Sequence, residues 1–307
     1  MGLQTFSQIK NAINLFAFIL AVITNCVIVF LVITKSPQKF GNYRHLMVYF
    51  SMLSILLAFL DYLVQPFQIA DLVIDQKFSF VGKETSLSDI LKTIYVISEE
   101  SFIMIMDLKD SIFENRPTIS LLLLASICEF FQATVCAISI NFIYRYFALQ
   151  RKGRLKYFSG KFLWLWMIVP LLIGGIPMAI YFSLGPSPYM TEELRPQLKR
   201  VYDIDIDKTT YTGCFYWKID QNGMKYFNFR EVVYILILNL IMGAHWILII
   251  YFGTKSYKII VNLIHQGESE YSRSLQTQLY KALVAQTLIP LCSLFFPVAV
   301  YFICPFI

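Results

Sequence analysis

The sequence predicts an all-α fold, a polytopic transmembrane helix bundle. Hydrophobic residues make up 57% of the 307 positions and charged residues only 15%, against about 25% charged in a soluble domain. The apolar residues gather into runs long enough to cross a hydrocarbon core of about 30 Å, which takes about 20 helical residues. Lys and Arg concentrate in the short stretches between these runs, so the net charge of +6 points to a bilayer and not to nucleic acid.

Six spans are expected in one transmembrane domain covering 1–307. The first, 12–34, is too long for a signal-peptide apolar region and lacks a small-residue cleavage site after it, so it reads as a retained helix. The start "MGLQTF" has no Ser or Thr at position six, so no myristoylation signal is read. Asn25, midway along this span, suits an interhelical hydrogen bond. The second span, 46–68, carries Asp61 near Gln65 and Pro66, at a pocket mouth or a wetted interface.

Segment 69–117 follows, and its stretch "DILKTIYVISEESFIMIMDLKD" (89–110) is too interrupted by charge to span. It reads as an amphipathic helix on the membrane surface or as an insertion. The third span, 118–147, carries Glu129 eleven residues from its start, about 16 Å along a helix. An ionisable group at that depth costs about 2.5–3.5 kcal/mol on insertion scales and is a functional candidate by default. The bland alternative is a protonated carboxyl bonded to a neighbouring helix.

The fourth span, 162–184, contains Pro170 and Pro177. The fifth, 231–253, carries His245, a candidate for ligand contact or for an interhelical hydrogen bond. The sixth, 280–305, contains Pro290 and Pro297. Proline removes a helical hydrogen bond and crowds the preceding turn, so both are hinge candidates.

Charge asymmetry sets the expected orientation. Segments 35–45, 148–161 and 254–281, with Arg145, carry thirteen basic and two acidic residues; 69–117 and 185–230 together carry twelve basic and fifteen acidic. The basic side is expected to be cytoplasmic and the N-terminus extracellular. Arg145 lies 27 residues after Thr118, about 40 Å along the helix, and so at the basic interface. Snorkelling to lipid phosphates explains such a residue by itself.

Three stretches carry a resemblance. "GNYRHLMVYFSM" (41–52) enters the second span, "NFIYRYFALQ" (141–150) ends the third, and "QLYKALVAQTLIP" (278–290) enters the sixth. Together the chain resembles the nematode serpentine chemoreceptors of the Str type, including the related Srj group, from about residue 10 to its end. The resemblance implies a seven-helix G-protein-coupled receptor for olfactory-type chemosensation. It implies a small, volatile ligand among the outer halves of helices three, five and six, with Glu129, Asp61 and His245 as pocket candidates. A heterotrimeric G protein would meet Arg145, Tyr144, Tyr146, Arg151 and Lys152. The implied location is the plasma membrane of a sensory-neuron cilium.

The "YRY" stretch resembles the Asp-Arg-Tyr motif of rhodopsin-like receptors, with Arg145 at the mouth of the G-protein cavity. Ile143 and Tyr144 precede it, so no acidic neighbour is available for an ionic lock. The outer end of the third span has no Cys to bridge Cys214, and Cys128 lies deeper, so a 128–214 disulfide is not expected. The sequence ends with the sixth span, one fewer than the family's seven. The expectation is an incomplete gene model or a non-functional truncated receptor.

No nucleophile elbow, zinc-protease motif or phosphate loop occurs, and the three His lie in different segments. No enzymatic activity, cofactor, metal or nucleic-acid partner is expected. A ligand-gated channel or transporter is the rival class. It would need a polar path, and Asp61, Glu129 and His245 are thin for a relay.

Overall fold

The computed structural model describes residues 3–34, 43–64, 66–67, 92–97, 101–109, 113–150, 154–202, 204–220 and 223–262, together with single positions between 274 and 288. Among the described residues, five helices are long and apolar enough to cross a membrane. They are α1 (Leu3–Thr34), α2 (Tyr43–Val64), α3 (Pro117–Gln150), α4 (Lys161–Ser183) and α6 (Phe229–Asn262), with the short α5 (Pro188–Gln197) between the last two. Described positions between 274 and 288 are helical. Arg151, Lys152, Pro290 and Pro297, and most of the sixth expected span, lie outside the described residues.

The fold is the expected helical membrane bundle, with α3 at its centre against α2, α4 and α6. The outward faces stay apolar. Phe16, Phe30, Trp164, Leu172, Leu240 and Ile247 are all exposed, as lipid contact requires. Asn25 departs from the expected interhelical bond: its Nδ2 donates to Ala21 O at 2.9 Å in its own helix. The amide thus satisfies itself locally in an apolar setting.

One end of the bundle, where α3 begins, α4 ends and α6 begins, carries a four-stranded sheet of order β1-β2-β3-β4. Its strands are β1 (Pro66–Phe67), β2 (Lys92–Ile97), β3 (Ser101–Asp107) and β4 (Thr209–Phe215). β1 runs parallel to β2, and the other pairs are antiparallel. A second hairpin pairs β5 (Trp217–Ile219) with β6 (Lys225–Phe227). The opposite end of the bundle, where α1 ends, α2 begins and the short turn Arg154–Phe158 precedes α4, is called the basic end below.

The sheet corrects the expectation of a surface helix at 89–110. In β3, Phe102, Met104 and Met106 pack on α3, α4 and α6, while Ile103 and Ile105 pack on α5 and its neighbours. All five are at most 4% exposed. An amphipathic helix has one apolar stripe, whereas a strand sends alternate side chains to opposite layers. Burial on both faces therefore yields an unbroken apolar run, which periodicity alone cannot assign to strand or helix.

α5 covers the sheet's other face. Its N-cap Ser187 accepts a bond from Met190 N–H at 3.3 Å, and Pro188 fills the first position, where no N–H is needed. Arg195 of α5 holds Asp207 bidentately at 2.7 and 2.8 Å. That bond keeps the Asp207 carboxyl below the usual carboxylate range.

Candidate functional site

Beneath the sheet, α3 and α6 meet through two buried polar side chains. Gln132 is 4% exposed and His245 is 6% exposed, and Gln132 Nε2 lies 3.4 Å from His245 Nδ1. His245 Nδ1 also lies 2.7 Å from Ile241 O, one turn back. Two acceptors do not approach so closely, so Nδ1 carries a proton and donates to that carbonyl. The Gln132 amide can then accept from Nδ1 only through Oε1, which an amide flip supplies. Imidazole Nε2 is left as an acceptor.

Glu129 stands one turn nearer the sheet on α3. Its backbone faces α4, where Gly174 packs so closely that a Cβ there would lie 2.5 Å from Glu129 O and 3.2 Å from Ala133 Cβ. The Glu129 side chain is half-buried and makes no hydrogen bond or ion pair among the described residues. Asp61 stands apart from this group. It is exposed on α2, beside Tyr62, whose ring stacks on Phe18 of α1 at 4.9 Å.

Between the polar pair and the sheet lies an apolar layer that includes Leu124, Cys128, Met178 and Leu238, closed above by Met104 and Met106 of β3. The sheet is fastened to the helix ends through backbone groups. Thr212 Oγ1 donates to Tyr181 O, and Gly213 N–H donates to Leu184 O at 3.2 Å. A side chain at 213 would collide with Phe102 O across the strand pair, so glycine is needed there for the close approach. Glu231, in the first turn of α6, accepts Phe215 N–H at 2.7 Å and Lys218 Nζ at 2.8 Å. Cys214 is fully buried in this seam, and its thiol is pushed up to about 12, mainly by burial. Cys128 packs against the same cluster, yet both cysteines are free.

At the basic end, the "YRYF" stretch straddles two packing surfaces. Tyr144 packs edge-on to Phe158 at 5.1 Å, and Phe158 stacks flat on Trp166 at 4.6 Å. Tyr146 faces Phe252 of α6 at 5.3 Å, and its hydroxyl receives a bond from Gln150 Nε2. Arg145 lies half-buried between the two tyrosines. Tyr280 reaches across from the C-terminal segment and donates to Gly253 O at 3.3 Å.

The Str-type family model of serpentine seven-transmembrane G-protein-coupled chemoreceptors matches residues 10–72 and 76–307. The chain belongs to this Str family. Among its relatives is a Caenorhabditis briggsae protein named serpentine receptor class r-10, 24% identical over 99% of this chain and 80% of the relative. A Caenorhabditis elegans protein named G-protein coupled receptor str-217 is 26% identical over 93% of this chain and 74% of the relative. The C. elegans serpentine receptor class r-10 is 26% identical over 92% and 75%. The chain is therefore an integral membrane protein of a chemoreceptor family.

Within this Str-family bundle, Glu129 of α3 lies against α4 and His245 of α6 meets Gln132 of α3 one turn away, whereas Asp61 lies on α2 apart from both. Sequence reasoning missed Gln132 and Glu231. Gln132 had a legible signal, since a second polar residue three positions after Glu129 shares its side of a helix. Glu231 had none, because its partners Phe215 and Lys218 are brought to it only by the docked strand.

Proposed function

We propose that this receptor detects a small, weakly polar organic molecule held among α3, α4 and α6 beneath the β3–β4 sheet. The buried Gln132–His245 pair carries the reading. It is an interhelical polar contact in an otherwise apolar layer, and a buried polar group gains most when fully bonded. A ligand oxygen can complete its bonding, and the Met and Leu side chains around it favour an apolar remainder. Glu129 would line the same space one turn higher.

The sheet end would face outside and the basic end the cytoplasm, on the charge asymmetry of the loops. The G protein would engage Arg145 and its flanking tyrosines, with Arg151 and Lys152 beyond. Arg suits that role because it stays charged and offers five donors to backbone carbonyls. Volatile ligands and a ciliary sensory-neuron membrane are the setting that membership of a chemoreceptor family suggests.

The test is nucleotide exchange on a purified G protein, with the receptor in lipid nanodiscs and a panel of small alcohols, ketones and esters. An active compound should lose potency with Gln132→Leu and His245→Phe while surface expression stays near normal. Unchanged potency in both variants would move the ligand elsewhere.

A further inference from the structure

The β5–β6 hairpin stands at the sheet end of the bundle, beside the start of α6, and its register gives it two different faces. Lys218 pairs with Tyr226 on one face, and Trp217 with Phe227 and Ile219 with Lys225 on the other. The first face is anchored to the bundle. Lys218 Nζ bonds to Glu231 of α6 at 2.8 Å and lies 5.3 Å from the centre of the Tyr189 ring of α5. The Tyr189 hydroxyl also accepts the Ile219 N–H at 3.0 Å. The second face is exposed at all four positions. We propose that this second face lies against lipid, with Trp217, Ile219 and Phe227 at the boundary between headgroups and acyl chains in the leaflet at the sheet end.

The chemistry of the face suits that boundary. The Trp217 and Phe227 rings meet edge-on at 5.2 Å, Ile219 follows on the same face, and Met224 beside the turn is 73% exposed. A contiguous exposed apolar patch marks an interaction surface. Trp collects where headgroups meet acyl chains, because its ring is apolar and its indole N–H still finds a partner there. Lys225, on the same face, has an apolar stem and an ammonium that can extend to lipid phosphates. The turn itself is polar: Gly223 N–H donates to Asp220 O at 2.8 Å, and the Asp220 carboxylate is exposed. That turn keeps the hairpin at the level of the headgroups.

The patch is also continuous with a lipid-facing surface already described. Phe229 opens α6 two residues after Phe227 and is 73% exposed. Leu236, Leu240 and Ile247 follow it at spacings of seven, four and seven residues, so all four lie on one exposed stripe of the helix. The depth fits as well. Lys255, exposed on α6 at the basic end, stands 26 residues after Phe229, about 39 Å along the helix. A bilayer is about 40–45 Å thick with its headgroups, and its hydrocarbon core is about 30 Å. Lys255 and Phe229 therefore fall in the two opposite headgroup zones, and the hairpin begins at the level of Phe229. None of this depends on which side of the membrane the sheet end faces.

The experiment uses the full chain in phosphatidylcholine nanodiscs, with Trp164, Trp166 and Trp246 replaced by Phe so that Trp217 is the only tryptophan. Phosphatidylcholine brominated near the top of its acyl chains should quench most of the Trp217 emission. Bromine near the chain ends should quench less, and aqueous iodide should quench little. Adding Phe227→Asp should exchange bromine quenching for iodide quenching. If the triple variant does not fold, Trp217→Phe in the otherwise native chain keeps the test. It should remove emission that the shallow bromines quench and none that iodide quenches. Strong iodide quenching of Trp217 without bromine quenching would mean that the face meets water, and would overturn the proposal. Protection from both quenchers that disappears at one receptor per disc would identify a second copy of the chain as the occupant, and would overturn lipid.

Discussion

Gly174 of α4 packs directly against the backbone of Glu129 of α3, with the Glu129 carbonyl 2.5 Å from where a Gly174 Cβ would be. The neighbouring Gly175 has nothing within 4 Å of its Cβ position. The two glycines are adjacent in sequence and opposite in consequence.

Gly174→Ala must push α4 off α3, because the obstructing atom is backbone. A cost of about 1–3 kcal/mol is expected, as for other overpacked positions. Gly175→Ala should be neutral or stabilising by up to about 1 kcal/mol, since alanine is the better helix former. Thermal unfolding of the two purified variants checks the pair. Equal melting temperatures would show that the helices are not held at this distance. Because Glu129 shares the contact, Gly174→Ala should also shift agonist potency.

Cys214 should be inert while the sheet is docked. Its thiol sits at about 12, raised by burial first and by the Glu231 charge second, with bonds from Tyr216 and the Phe102 backbone acting the other way. At pH 8 an ordinary cysteine, with a pKa of about 8.5, is partly thiolate and reactive. Cys214 should resist iodoacetamide there and react only as the pH climbs towards 12 or the sheet detaches. Peptide mapping after labelling reads this directly. Rapid labelling of Cys214 at pH 8 in folded receptor would mean that the seam is open.

Glu231 should be a fastening point for that seam. Its carboxylate takes the Phe215 N–H and the Lys218 ammonium together, and its side chain is only 11% exposed. Glu231→Ala leaves a buried N–H and a half-buried charge without their partner, a loss of about 1–3 kcal/mol. Glu231→Gln keeps one acceptor for Phe215 and should cost less. Hydrogen exchange at Phe215 should rise in the order wild type, Gln, Ala. If exchange is unchanged in Glu231→Ala, the strand is held by the apolar layer alone.

The helices were legible because a bilayer imposes length and apolarity on each span separately, so 118–147 and 231–253 announce themselves residue by residue. The sheet was not. β3 pairs with β4 across about a hundred residues of chain, and its run "SFIMIMD" is apolar on both faces for a reason that lies in α5 and the bundle. The charges at Glu99 and Glu100 next to it suggested an interfacial helix, whereas the neighbouring residues form strands. The polar candidates were half-legible. Glu129 and His245 stood out as single polar residues in apolar spans, but the partnership of His245 with Gln132 required the α3–α6 packing. Arg145 was readable as interfacial. The division of its neighbours between Phe158 and Phe252 was not, because aromatic residues are too common here for any one pair to be picked out.

That division yields the last prediction. Tyr146 and Phe147 of α3 both meet Phe252 of α6, at 5.3 and 6.4 Å, and Tyr280 bonds to the adjacent Gly253 carbonyl. Aromatic pairs of this kind contribute about 0.5–1.5 kcal/mol each beyond the area they bury. They hold α6 against α3 around Arg145, where the proposed G-protein cavity would have to open. Phe252→Ala removes both ring contacts and should shift the population towards the open form. Basal nucleotide exchange should rise about five- to thirtyfold if one to two kcal/mol of closed-state stability is lost. Phe252→Leu, which keeps bulk but no ring, should rise less. Ile250→Ala, an exposed side chain on the same helix, serves as the control and should leave basal exchange unchanged. Lower basal exchange in Phe252→Ala, at matched surface expression, would mean that the aromatic contacts support the active form, and the assignment of this cluster as a closing contact would be wrong.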